Sequence, residues 1–125
     1  MLEIALALVL AQQPAKAVRE LAGGDLYRAH CASCHGSTGR GDGPVAAGLK
    51  AKTPDLTTLT KRNKGKFPQE RVEAMILGDA SAAASHGTRE MPVWGPAFSA
   101  LDQDRDLSRV RVRNLSEFIR GIQAK

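Results

Sequence analysis

The sequence predicts an all-α domain of three to five helices, and three observations carry that reading. Apolar residues recur at helical spacing in separate stretches: Leu26, Tyr27 and His30; Val72, Met75, Ile76 and Leu77; Val112, Leu115, Phe118, Ile119 and Ile122. Val110 and Val112 alternate with arginines as a strand would, but the spacing that follows them favours a helix. The stretches are separated by segments crowded with glycine and proline, which no element interior accommodates. Aromatic residues make up only 4% of the 125 residues, namely Tyr27, Phe67, Trp94, Phe98 and Phe118, so a core built from them is short of bulk and suits a large ligand at its centre, or equally an Ala-rich helical protein without one.

Taken in order, the first helix is expected from Gly24 through Cys34 and breaks at Gly36. Residues 36–44 hold four glycines and a proline and form a loop with unusual dihedrals, able to approach a flat cofactor closely. A short helical turn follows around Val45 to Leu49, then an extended, turn-like segment from Thr53 to Leu59. Lys61 to Lys66 read as a solvated basic loop. A second helix begins near Pro68, where proline suits the first helical position, and ends at Gly78. Residues 79–90 are small, polar and irregular, and lead into Met91-Pro92-Val93-Trp94-Gly95-Pro96. A last helix runs from Ser108 to Gln123. The length allows one small domain, and no internal repeat is present.

The chemistry concentrates in Cys31-Ala32-Ser33-Cys34-His35, the pattern of covalent haem attachment. Two thiols about one helical turn apart can each add to a vinyl group of one porphyrin, and the adjacent imidazole then reaches the iron. Both cysteines of the chain are used in this way. A structural zinc site is short of ligands, because only His30 and His86 remain beyond the motif. A thioredoxin-like pair wants a preceding strand, whereas residues 24–30 read as a helix. A disulfide across so short a loop is strained.

Residues 1–17 read as an atypical secretory signal with cleavage after Ala17, leaving a domain of residues 18–125. The apolar run is followed by Ala15-Lys16-Ala17, but no Lys or Arg precedes it and Glu3 sits where positive charge is usual. It is about half the length of a membrane span, so membrane association is expected only through partners or an uncleaved N-terminus. The net charge is +5, and cleavage removes one Lys and one Glu and leaves it unchanged. Two haem propionates lower it to roughly +3, which favours acidic partner surfaces by electrostatic steering. Nucleic acid is not expected, since no binding motif or basic-aromatic interleaving accompanies the charge.

Over about residues 20 to 123 the chain resembles the class I, single-haem cytochromes c of bacterial type. The attachment motif carries the likeness, and Gly23 and Tyr27 stand eight and four residues before Cys31. In that family these positions pack the first helix on the last, where Leu115 and Phe118 match the partner positions. The resemblance implies a cytochrome c-like fold around one covalently bound haem c, attached in a periplasm or an equivalent exported compartment. It further implies His35 and Met91 as axial ligands, with Pro92 fixing the backbone beside Met91. A thioether is a soft neutral donor that raises the reduction potential, and two filled axial positions leave no place for a small-molecule substrate. His86 is the rival for bis-His ligation, whereas Met75 reads as a packing residue and His30 as exposed or near the haem edge. By the same resemblance the Pro44 carbonyl accepts from His35, although Pro44 equally suits a loop-shaping role. Trp94, Arg40 and Lys52 are candidate partners of the propionates, with Trp94 as readily a core residue. The charged run Asp102 to Asp106 departs from the family pattern and leaves the start of the last helix open. The implied function is electron transfer between redox protein partners, not enzyme catalysis. A haem subunit of a larger oxidoreductase complex is the alternative, and a sensor with an open iron position a third.

Overall fold

A computed structural model describes residues 21–78, 91–102 and 104–125. The expected signal segment, His86 and Gln103 lie outside the described residues. Among those described there are six α-helical segments and no strand. They are α1 (Gly23–His30), α2 (Ala32–His35), α3 (Leu59–Arg62), α4 (Gln69–Leu77), α5 (Trp94–Asp102) and α6 (Arg105–Gly121). Short 3-10 turns at Ala46–Gly48 and Leu56–Thr58 complete the set. The all-α reading stands, with two single-turn helices, α2 and α3, and the unforeseen α5 raising the number above the expected three to five. No helix among the described residues is long and apolar enough to cross a membrane.

The longest helix, α6, is the axis of the molecule, and α1, α4 and α5 all pack against it. Its inward residues Ser108, Arg111, Val112, Leu115, Ser116 and Ile119 recur every three to four positions, which puts them on one stripe. The stripe contains two serines because helices approach it closely. Ser108 Oγ donates to the Gly95 carbonyl of α5 at 3.3 Å, and Ser116 Oγ lies 2.8 Å from Glu73 Oε1 of α4. Leu26, Tyr27, Val72, Ile76, Phe98, Val112, Leu115 and Ile119 form the core with Cys31.

The α6 start settles the charged run that the sequence left open. Asp104 caps the helix, its Oδ1 accepting from the amides of Asp106 at 2.8 Å and Leu107 at 3.4 Å. Asp106 adds negative charge in the first turn, where the helix dipole favours it. The helix therefore begins at Arg105, three residues before the expected Ser108. At the other end Gln123 donates to the Leu56 carbonyl and accepts from the Thr60 amide at 2.9 Å, while the Ala124 amide bonds the Thr57 carbonyl at 2.8 Å. The C-terminus thus ties down the segment expected to be merely extended, which instead coils into a 3-10 turn and α3.

The expected pairing of first and last helix is present. Tyr27 and Phe118 rings lie 4.9 Å apart, and Leu115 is fully buried beside them. Gly23 sits so near α6 that a Cβ there would lie 2.2 Å from the Asn114 carbonyl oxygen. Close helix contact is the reason for that glycine.

Candidate functional site

The expected first helix through Cys34 is interrupted at Cys31, whose φ of −119° ends α1, and the chain resumes as the single turn α2. Within it the Cys34 and His35 amides bond the Cys31 carbonyl at 3.3 and 2.9 Å, placing both thiols and the imidazole at successive corners of one turn. A turn this short leaves its carbonyls orphaned. The glycine loop satisfies them: Val45 N bonds Ser33 O at 3.0 Å, Gly43 N bonds Cys34 O at 3.1 Å, and Gly41 N bonds His35 O at 2.8 Å. Tyr27 Oη, fully buried, donates to the Gly36 carbonyl at 2.7 Å and anchors the loop to α1. The glycine loop expected over residues 36–44 thus holds the attachment turn.

Gly41, at a φ of +81°, also admits a second segment: a Cβ there would lie 2.4 Å from the Thr53 carbonyl oxygen. That close approach brings Pro54 over the imidazole, and the carbonyl facing His35 Nδ1 at 3.4 Å is that of Pro54. The expected acceptor, Pro44, is corrected here. The Gly43 amide is spent on capping α2, and Pro44 beside it is exposed. Burial pushes the His35 pKa below its ordinary value, opposed by the Pro54 carbonyl. The ring is therefore neutral at physiological pH, with Nε2 left as a donor of electrons. Burial, with Cys34 adding, raises the Cys31 thiol to about 12, so it rests protonated.

Cys31, Cys34 and His35 open on a cavity of about 510 Å³. Its walls are chiefly apolar, from Leu49, Leu56, Leu59, Val72, Ile76 and Val93. Met91 lines the same cavity, and so does Met75. Met75, expected as a packing residue of α4, lines the cavity from that helix, and Met91 both lines it and packs against the core cluster. Lys52, Arg62 and Arg71 stand among the lining residues with their side chains largely in solvent. Arg40 does not line it; it is exposed and acts electrostatically on Asp55, whose carboxyl is held below its ordinary range first by hydrogen bonds from Thr57. Trp94 lines the cavity with its ring tilted against His30 at 4.9 Å and stacked on Phe98 at 5.6 Å. His30 lines it too, half-buried, its pKa lowered by burial and by Arg111. A pattern search could have flagged Pro54 only as a proline, since its contribution is a backbone carbonyl that every residue possesses.

These residues fit a haem. The donor set is one neutral imidazole, two thioethers and two free thiols around an apolar cavity, and its size falls within the range of small-molecule sites. Thr53 Oγ1 is the buried side-chain polar atom without a hydrogen-bond partner among the described residues, and Thr53 lines the cavity. An unpaired buried hydroxyl costs about 1–3 kcal/mol, and a haem propionate is the kind of acceptor that would remove that cost. No group of three or more His, Cys, Asp or Glu side chains among the described residues could hold a separate metal ion.

Comparison with known proteins agrees. Neither the curated proteins nor the solved structures give a match to the chain. The family model described as cytochrome c matches residues 21–123, from two residues before α1 through the glutamine that ties the C-terminus to the cavity wall. With the match spanning the attachment turn, both cavity thioethers and the α1–α6 pair, the chain belongs to the cytochrome c family.

Proposed function

We propose that this protein is an exported electron carrier holding one haem c, covalently bound through Cys31 and Cys34, with His35 and Met91 as its axial ligands. Membership of the cytochrome c family carries haem-based electron transfer with redox partners. The single observation that carries the finer reading is one cavity lined by both thiols, a neutral imidazole and a thioether.

The haem supplies a one-electron ferric–ferrous change at the iron. The chain's residues govern it. His35 is kept neutral by burial and faced by the Pro54 carbonyl, which fixes the ring's orientation. Met91 would hold the iron through a soft, uncharged sulfur, a donor that favours the ferrous state. Leu56, Leu59, Val72 and Ile76 exclude water, which further favours the less charged state. Lys52, Arg71 and Arg62, the last residue of α3 where the sequence suggested only a loop, give the cavity's surroundings the charge that attracts acidic partner surfaces. The N-terminal segment directs export, which matches a compartment where the thiols are matured.

Met91 is preferred to Met75 because it sits in the irregular segment beside Pro92, where the thioether can be presented without displacing a helix. Visible and near-infrared spectra of the holoprotein matured in an exporting host test the assignment. Met91→Ala should abolish the near-infrared sulfur–iron charge-transfer band, whereas Met75→Leu and His86→Ala should keep it. Loss of the band in Met75→Leu alone, or a changed spectrum in His86→Ala alone, would falsify the Met91 assignment.

A further inference from the structure

The segment that carries Met91 is not covalently tied to the attachment turn, so something must hold the two together across the cavity. On one side the grip comes from α4. The Val93 side chain lies against Gly78, where a Cβ would approach Val93 Cγ1 to 2.3 Å, and Gly95 lies against the Leu77 carbonyl, where a Cβ would stand at 2.8 Å. On the other side the contact is made by a residue to which no role follows from the attachment motif. The His30 ring, directly before Cys31, meets Trp94 at 4.9 Å between centroids with the planes tilted by 55°. It also meets the edge of Phe98 at 5.3 Å and 70°, while Trp94 and Phe98 stack on each other at 22°. Phe98 is 1% exposed and Arg111 lies 6.0 Å over its ring, so the far end of the trio is anchored in the core on α6.

We propose that His30 is a positioning residue: its ring holds Trp94, and through it the Met91 segment, against the α1–α2 junction. Three features support this. His30 and Cys31 are sequence neighbours, so the ring moves with the attachment turn. Trp94 is the first residue of α5 and three residues after Met91, so the indole moves with the ligand segment. Both side chains line the cavity, so the stack closes its wall at the point where the two segments meet. Tilted aromatic pairs of this kind carry a modest stabilisation. A segment held closed competes better with an external ligand for the iron.

The inference rests on the Met91 reading above, and the test separates the two. Ferric holoprotein is titrated with imidazole, and amide hydrogen exchange is followed over residues 93–98, in wild type, His30→Leu, His30→Phe, Trp94→Leu and the double Leu variant. His30→Leu should bind imidazole roughly three- to tenfold more tightly and exchange the 93–98 amides faster, with an unchanged far-ultraviolet spectrum. His30→Phe, which keeps a ring, should restore both values. The double variant should show less than the product of the single effects, since each removes the same stack. An unchanged imidazole affinity in His30→Leu, a failure of His30→Phe to rescue, or multiplicative effects in the double variant each overturns the inference. Met91→Ala serves as the separate control. If it keeps the sulfur–iron band, the axial reading fails by itself, and the stack is judged by the exchange rates.

Discussion

Gly23 and Gly24 are adjacent, chemically identical and on the same helix, yet they face different constraints. A Cβ on Gly23 would lie 2.2 Å from the Asn114 carbonyl oxygen, a backbone atom that cannot swing aside, whereas on Gly24 it would meet the Phe118 ring at 3.4 Å. Gly23→Ala should therefore force α1 away from α6 and cost about 1–3 kcal/mol, while Gly24→Ala should be neutral or slightly stabilising. Thermal unfolding of the two variants side by side checks the contrast. Equal midpoints would show that the helix pair yields at this crossing. The family resemblance singled out Gly23, but the number of ångströms that makes it irreplaceable depends on where α6 runs. Pro54 shows the opposite case at the same scale. Its part in the site is a carbonyl oxygen aimed by the fold of two distant segments, and no side-chain pattern encodes that.

At the scale of elements, α4 and α6 were legible because each carries a periodic apolar face and a recognisable terminus. The helix α5 was not. Its opening residues Trp94-Gly95-Pro96 look like a turn, yet Pro96 falls in the first helical turn, where the backbone N–H has no intrahelical partner to lose. Gly95 is there for the approach of the Leu77 carbonyl, not for flexibility. The acidic run before α6 departs from the family pattern, and within it Asp104 is the cap. Asp104→Ala should remove two accepted hydrogen bonds and destabilise the protein by about 1 kcal/mol, with Asp104→Asn retaining most of the stability. Denaturant midpoints read at constant slope measure it. A neutral Asp104→Ala would mean that Asp106 and tertiary packing hold the terminus unaided.

On the scale of the whole molecule, the rings that the composition provides so sparingly are placed at helix contacts. Tyr27 and Phe118 join α1 to α6, Trp94 and Phe98 join α5 to His30, and Phe67 lies under the Arg120 guanidinium at 5.3 Å. The cavity that takes in Cys31, Cys34 and His35 lies beside these contacts, with His30 and Trp94 in its wall. The net charge of +5 and the cations near its mouth belong to this scale as well. Electron transfer from the reduced protein to an acidic redox partner should slow as ionic strength rises from about 0.01 to 0.15 M, over which the screening length falls from about 30 to 8 Å. Replacing both Lys52 and Arg71 by Glu should flatten that dependence. Stopped-flow rates across a salt series test it, and a rate that rises with salt would point to a basic partner.

The sequence by itself determined the chemistry: two thiols and an imidazole at one-turn spacing, a periodicity that favours helices throughout, and a shortage of large side chains that suits a cofactor. These are local properties, set by spacing and residue type. Only the tertiary structure decided what surrounds them. It chose Pro54 over Pro44 because Gly41 lets the later segment press against the imidazole. It brought Met75 to the same cavity as Met91 and put His30 against Trp94. The physical reason is that a covalent motif is written in consecutive residues, whereas carbonyl acceptors, cavity walls and ring contacts arise from segments tens of residues apart meeting on α6.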